Sequence, residues 1–259
     1  MKGYVFPAFL ISLSLLFAAC DEESYSPPCP TTEKPTGKSV STLPWFMHGF
    51  SLLDEKTEEL AVGYLAKSDE SMIGSAVLIS PQIFITAAHC MDGGDVEYFA
   101  VGCELYTVVD YRIHPNFMIG DTIFEDVAVG VLDRACTVKP IPLMDAKKHH
   151  YRQGERLTSI GFGGGLKRKS LPDTFWYYGT LVEDPTVFKM LPLHGTLYFG
   201  DSGGAVIDSS GVLVGVMVSF AMNTTDIFEN SATRLDVVSD WIRATALELS
   251  GTPLQVGVQ

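Results

Sequence analysis

Three short segments, far apart along this chain, make chemical sense together only if a fold gathers them at one point. Gly200-Asp201-Ser202-Gly203-Gly204 offers a hydroxyl flanked by turn-forming residues, and Thr86-Ala87-Ala88-His89-Cys90 offers an imidazole. Asp126-Val127-Ala128-Val129 offers a carboxylate at the mouth of an apolar run. A serine hydroxyl is a poor nucleophile near neutral pH. It needs a base to take its proton, and that base needs a partner that fixes its tautomer. Ser202 as nucleophile, His89 as base and Asp126 as orienting acid complete such a set. Each has an ordinary counterpart: a plain glycine loop, a buried histidine, or Glu125 and Asp121 as competing carboxylates. A base must be unprotonated to work, so the rate is expected to rise through about pH 6–7.

The order His, Asp, Ser within these flanks resembles the chymotrypsin/trypsin-like serine protease family, over about residues 45–249. The resemblance implies an all-β fold of two packed six-stranded antiparallel Greek-key barrels with a C-terminal α-helix. The triad would lie in the cleft between the barrels. It implies a serine endopeptidase that hydrolyses peptide bonds through an acyl-enzyme on Ser202, with a polypeptide substrate, a monomeric state and no cofactor or metal. The backbone N–H groups of Gly200 and Ser202 would form the oxyanion hole. Asp201 would pair with a newly cut N-terminal amine and shape that hole. The stretch closest to the family's mature start is Phe46-Met47-His48-Gly49, which follows Trp45 rather than a basic residue. For substrate binding, Thr196 stands where trypsin-like members carry aspartate, so preference for an uncharged side chain is expected. Ser219-Phe220-Ala221 resembles the strand that pairs with substrate backbone, and Asn230 falls near the pocket floor. The alternative is a catalytically silent homologue that serves as a protein-binding module.

The chain's beginning reads as an address. Lys2 is followed by an apolar stretch from Val5 to Phe17, then Ala18, Ala19 and Cys20. It is short for a membrane span and is followed by acidic residues, as in a secretory signal over residues 1–19. Small residues before a cysteine resemble a bacterial lipobox, which implies lipid attachment at Cys20; a plain cleaved signal is the alternative. Residues 20–44 are rich in Pro, Ser and Thr and form a tether, leaving 45–259 as the peptidase domain. The expected location is the cell envelope, membrane-anchored by lipid, or else periplasmic or secreted. A formal net charge of −13 argues against nucleic-acid partners, because phosphate backbones would be repelled.

Export permits disulfides. With Cys20 set aside for lipid, four cysteines remain, and they allow three connectivities. The family bridges the cysteine beside the catalytic histidine to an earlier one, whose place here falls near Gly74. Cys90–Cys103 is the expected replacement, and Cys29–Cys136 would tie the tether to the body; free thiols are the other reading. Short β-rich runs such as Ile83–Thr86, Val127–Leu132, Ala205–Ile207 and Val212–Phe220 predict strands. Val238, Trp241, Ile242 and Thr245 recur at helical spacing behind Asp236, a predicted N-cap. Gly163-Gly164-Gly165 reads as a mobile turn and Lys147-Lys148-His149-His150 as an exposed one. His48, His114, His149, His150 and His194 read as solvated or structural.

Overall fold

The computed structural model describes residues 48–54, 59, 61–102, 104–117, 125–171, 174–180, 185–192, 195–222 and 228–254. The expected leader and tether, with Cys20 and Cys29, lie outside the described residues, as do Asp121, Cys103 and His194.

Short β-branched and aromatic runs broken by glycine and proline favour strands over helices. The first six of the barrel strands are β2 (Val62–Ala66), β3 (Met72–Leu78), β4 (Ile83–Thr86), β5 (Tyr98–Val101), β6 (Glu104–Ile113) and β7 (Ala128–Leu132). They close antiparallel in the order β2-β3-β4-β7-β6-β5. Closure removes exposed edges, which is how a small all-β unit avoids pairing with its neighbours. β4 and β7 are buried along their whole lengths and pair Ile83 with Val131 and Ile85 with Val129.

The second set comprises β8 (Arg156–Gly161), β9 (Arg168–Ser170), β10 (Phe175–Thr180), β11 (Val187–Pro192), β12 (Ala205–Ile207), β13 (Leu213–Met222) and β14 (Phe228–Arg234). Six of these run β8-β10-β11-β14-β13-β12, and Ala205 of β12 pairs back with Ile160 of β8 to close the ring. Both barrels share one strand order: three consecutive strands side by side, then a fourth that returns beside the first. This is the expected pair of Greek-key barrels. β9 pairs with the far end of β8, Gly161 facing Arg168, and carries β1 (Phe50–Leu52) on its outer side.

Helix α1 (Leu235–Ser250) follows directly and touches β7 of the first barrel and β13 of the second. Val238, Ile242, Thr245 and Ala246 form its buried face. The Trp241 ring meets His114 edge-on at 4.6 Å, so His114 is structural. One expectation fails at the helix start. Arg234 occupies the N-cap position, and Asp236 lies inside the first turn, where it pairs with Arg234 at 2.6 Å and faces the positive helix end.

The cysteine expectations also need correction. Cys90 and Cys136 are free and buried, so neither expected bridge is present. The sulfur of Cys90 sits 3.9 Å from the carbonyl oxygen of Ser202. A Cβ placed on Gly74 would come within 2.8 Å of that sulfur, so the bare residue there gives the thiol its room. Burial pushes the Cys136 thiol up to about 11, which keeps it protonated at ordinary pH.

Because α1 is the element packed on both barrels, Ile242→Ala should destabilise the whole molecule. A loss of about 2–5 kcal/mol is expected for a fully buried isoleucine, read as a lower midpoint in chemical denaturation.

Candidate active site

Each barrel presents part of the site at the end of a strand. β4 delivers Thr86, after which Ala87 and Ala88, both fully buried, lead into a short 3₁₀ turn that carries His89. β7 is preceded by Asp126, which is nearly fully buried. Glu125, just before it, is held in the left-handed region with φ 36°, and its carbonyl accepts the Val127 N–H at 2.7 Å. Such strain in a side-chain-bearing residue persists only where its surroundings enforce it. The tight turn aims Asp126 inward and sends Glu125 elsewhere, toward Asn116.

The His89 Nδ1–H donates to Asp126 Oδ2 at 2.7 Å, and the His89 backbone N–H donates to Asp126 Oδ1 at 3.0 Å. One carboxylate thus fixes both the position and the tautomer of the ring, leaving Nε2 as its free acceptor. From behind, Thr233 of β14 donates its hydroxyl to the Asp126 carbonyl at 2.9 Å. Burial works against charge on the imidazole, but Asp126, with a smaller contribution from Cys90, outweighs it and holds His89 well above its ordinary 6.5.

Ser202 lies on the loop before β12. Its carbonyl accepts the Ser75 N–H at 2.7 Å, which ties the loop to β3 of the other barrel. Its hydroxyl donates to Val218 of β13 at 3.4 Å, longer than a well-made O–H···O bond, and makes no hydrogen bond to His89 among the described residues. The structure thus joins His89 to Asp126 and brings the Ser202 backbone beside Cys90, while the last link needs rotation of a loosely held hydroxyl. Catalytic hydrogen bonds of this kind often tighten only when substrate is bound.

Gly200 sits at φ 98°, and a Cβ there would strike the Phe162 carbonyl, so no other residue type fits this turn. The carbonyls of its two peptides are both claimed. Gly164 N–H donates to Phe199 O at 2.8 Å, and Ser75 Oγ–H donates to Gly200 O at 2.6 Å. A trans peptide points its N–H opposite its C=O, so the Gly200 N–H faces away from Gly164. Neither the Gly200 nor the Ser202 N–H donates within the chain among the described residues.

Thr196 and Asn230 are brought together and fully buried. The Thr196 hydroxyl donates to Asn230 Oδ1 at 2.7 Å, and the Leu197 N–H donates to the same oxygen at 2.7 Å. Ser219, Phe220 and Ala221 lie on β13 and pair in backbone register with Ser231, Asn230 and Glu229. Asp201 is buried against Arg168, a residue that motif reading passes over. The Gly163–Gly165 turn, expected to be mobile, is bonded to this same loop through Asp201 and Phe199. His149 is likewise corrected. It is buried, with Nδ1 3.7 Å from Asp208 and its ring against Tyr151, while Lys147, Lys148 and His150 are exposed. A cavity of about 880 Å³ beside it, lined by Lys148, Arg152 and Glu155 among others, contains none of His89, Asp126 and Ser202.

The model of the trypsin-like peptidase domain matches residues 74–216, more than half of the chain, from β3 into β13. The chain belongs to the trypsin-like peptidase family. No curated protein matches it. The matched span of this peptidase domain contains His89, Asp126 and Ser202; β2 before it and β14 after it complete the two barrels, and β1 and α1 also lie outside it.

Titration of the His89 ring, followed by its NMR resonances, should show a midpoint above 6.5, and Asp126→Asn should lower it. The folded form holds this proton to higher pH than a free imidazole does. The pair's stabilisation is therefore full below pH 6.5 and fades as pH rises through the raised value.

Proposed function

We propose that this peptidase is a serine endopeptidase working through His89, Asp126 and Ser202. The observation that carries this reading is the short, part-buried His89–Asp126 pair placed beside the Ser202 loop. His89 Nε2 takes the proton of Ser202 as Oγ attacks the substrate carbonyl carbon. The Gly200 and Ser202 N–H groups stabilise the negative oxygen of the tetrahedral intermediate. As the C–N bond breaks, His89 passes its proton to the departing amine and an ester on Ser202 remains. Water then repeats the sequence: His89 takes its proton, the acid is released, and Ser202 regains its hydrogen.

Substrate backbone has a natural seat on β13. β12 pairs with β13 only as far as Val216, so beyond it Ser219–Ala221 pair with β14 on one side. An extended peptide can add along the other side. With Thr196 and Asn230 as the pocket residues, a hydroxyl and an amide bonded to each other, an uncharged side chain is the preferred occupant. Export to the cell envelope, with lipid on Cys20, completes the proposal. A catalytically silent homologue is the alternative, and the Ser202 hydroxyl resting on Val218 is the observation that favours it.

A fluorophosphonate should label the full chain at Ser202 and leave Ser202→Ala unlabelled; a chain that is never labelled is the silent homologue. Among labelled forms, Asp126→Asn should lower kcat by about 10⁴, since the wrong tautomer becomes available. The kcat/KM profile should rise to a plateau with its midpoint above pH 6.5, and a profile flat from pH 5 to 8 would remove His89 from the base role.

A further inference from the structure

Asp201 is one residue before the proposed nucleophile, and it is almost wholly shut off from water. A carboxylate in that position must be surrounded by donors. Oδ1 accepts the Gly163 N–H at 2.8 Å and Arg168 Nε at 3.4 Å. Oδ2 accepts the Tyr198 N–H at 2.9 Å and the Arg168 Nη2 group. A carboxylate offers about four acceptor positions, and all four are taken.

Arg168 itself is fully buried on β9. Its Nη2 also donates to the Thr196 carbonyl at 3.1 Å, and the guanidinium lies over the Phe50 ring of β1 at 3.9 Å. The fork therefore holds both ends of the loop that runs from Thr196 to Asp201. The space exists because the hairpin opposite lacks side chains: a Cβ on Gly161 would come within 2.6 Å of Asp201 Oδ1, and one on Gly163 would collide with the guanidinium. The same hairpin turn fixes the Phe199 carbonyl through Gly164, and with it the direction of the Gly200 N–H.

We infer that Arg168 is a positioning residue: through Asp201 it sets the Gly200–Ser202 turn, so that the chain is competent without a newly cut N-terminus. This rests on the serine endopeptidase reading. The cation that completes the loop is supplied by β9, paired with β8 of the second barrel, and no acceptor position on Asp201 remains for a terminal amine. The absence of a basic residue before Phe46 follows, because no tryptic cut is needed there.

The test begins with the uncut full chain, checked by intact mass for continuity from Trp45 to Gly49 and treated with a fluorophosphonate. Labelling of Ser202 is expected. Labelling only after cleavage at a specific protease site inserted before Phe46 would overturn the inference and leave the endopeptidase reading standing. No labelling before or after that cut removes both. Arg168→Met should slow labelling about 10²-fold, the effect of losing one oxyanion donor, with kcat falling and KM little changed. Arg168→Lys should recover part of the rate, having the charge but not the fork. Arg168→Met combined with Asp201→Asn removes the unpaired buried charge, so its Tm should return toward the parent while labelling stays slow. Recovery of both Tm and labelling in that double variant, or parent-like labelling of Arg168→Met, would show a purely structural pair and overturn the assignment.

Discussion

A carboxylate buried next to a reactive loop is the constraint on which much of this structure turns. Asp201 cannot be hydrated where it lies, so the fold must deliver four donors to it from three places. Two are the ends of the Arg168 fork, one comes from the hairpin turn at Gly163, and one from the start of its own loop at Tyr198. Meeting that demand fixes β9 against β8, clears side chains from Gly161 and Gly163, and sets the course of residues 196–204. An unpaired charge in the same place would cost several kcal/mol, enough to rearrange a loop that lacks regular hydrogen-bond ladders.

The two barrels are joined at the site by polar bonds. Ser75 of the first barrel donates its N–H to Ser202 and its hydroxyl to Gly200, and accepts the Phe162 N–H on that hydroxyl. Thr233 of the second barrel reaches back to the Asp126 carbonyl, and Thr186 accepts the Glu125 N–H at 3.3 Å. His89 and Asp126 thus belong to one barrel and Ser202 to the segment before β12 of the other, with small hydroxyl side chains bridging them. Water would compete for such bonds at a surface, whereas Ser75 and Thr233 are fully buried.

Motifs with a chemical reason were legible in the sequence, and so was the architecture that the resemblance implied. His89, Asp126 and Ser202 stand out because the proposed chemistry limits which residue types can stand there. Continuous apolar strands such as β4 and β7 are equally plain. β14 is not: Phe-Glu-Asn-Ser-Ala-Thr-Arg has no alternation of apolar and polar residues, because its buried polar groups are spent on Asp126 and Thr196 rather than on packing. Arg168 escaped for a related reason. A basic residue between Lys167 and Lys169 looks like part of a solvated charge run, and only its tertiary partner shows it to be interior. The cysteines misled for want of the same information, since pairing depends on Cα geometry that sequence order does not encode.

In the proposed mechanism the His89–Asp126 pair sets stability and activity in opposition across pH. Protonated His89 strengthens its bond to Asp126, so the pair is firmest where the ring cannot act as a base. Raising the pH frees Nε2 as an acceptor and gives up that stabilisation. The Arg168–Asp201 pair stands apart from that equilibrium, its buried carboxylate met by four donors. One carboxylate thus orients the His89 ring, while another, met from the interior by the Arg168 fork, holds the turn that leads into Ser202.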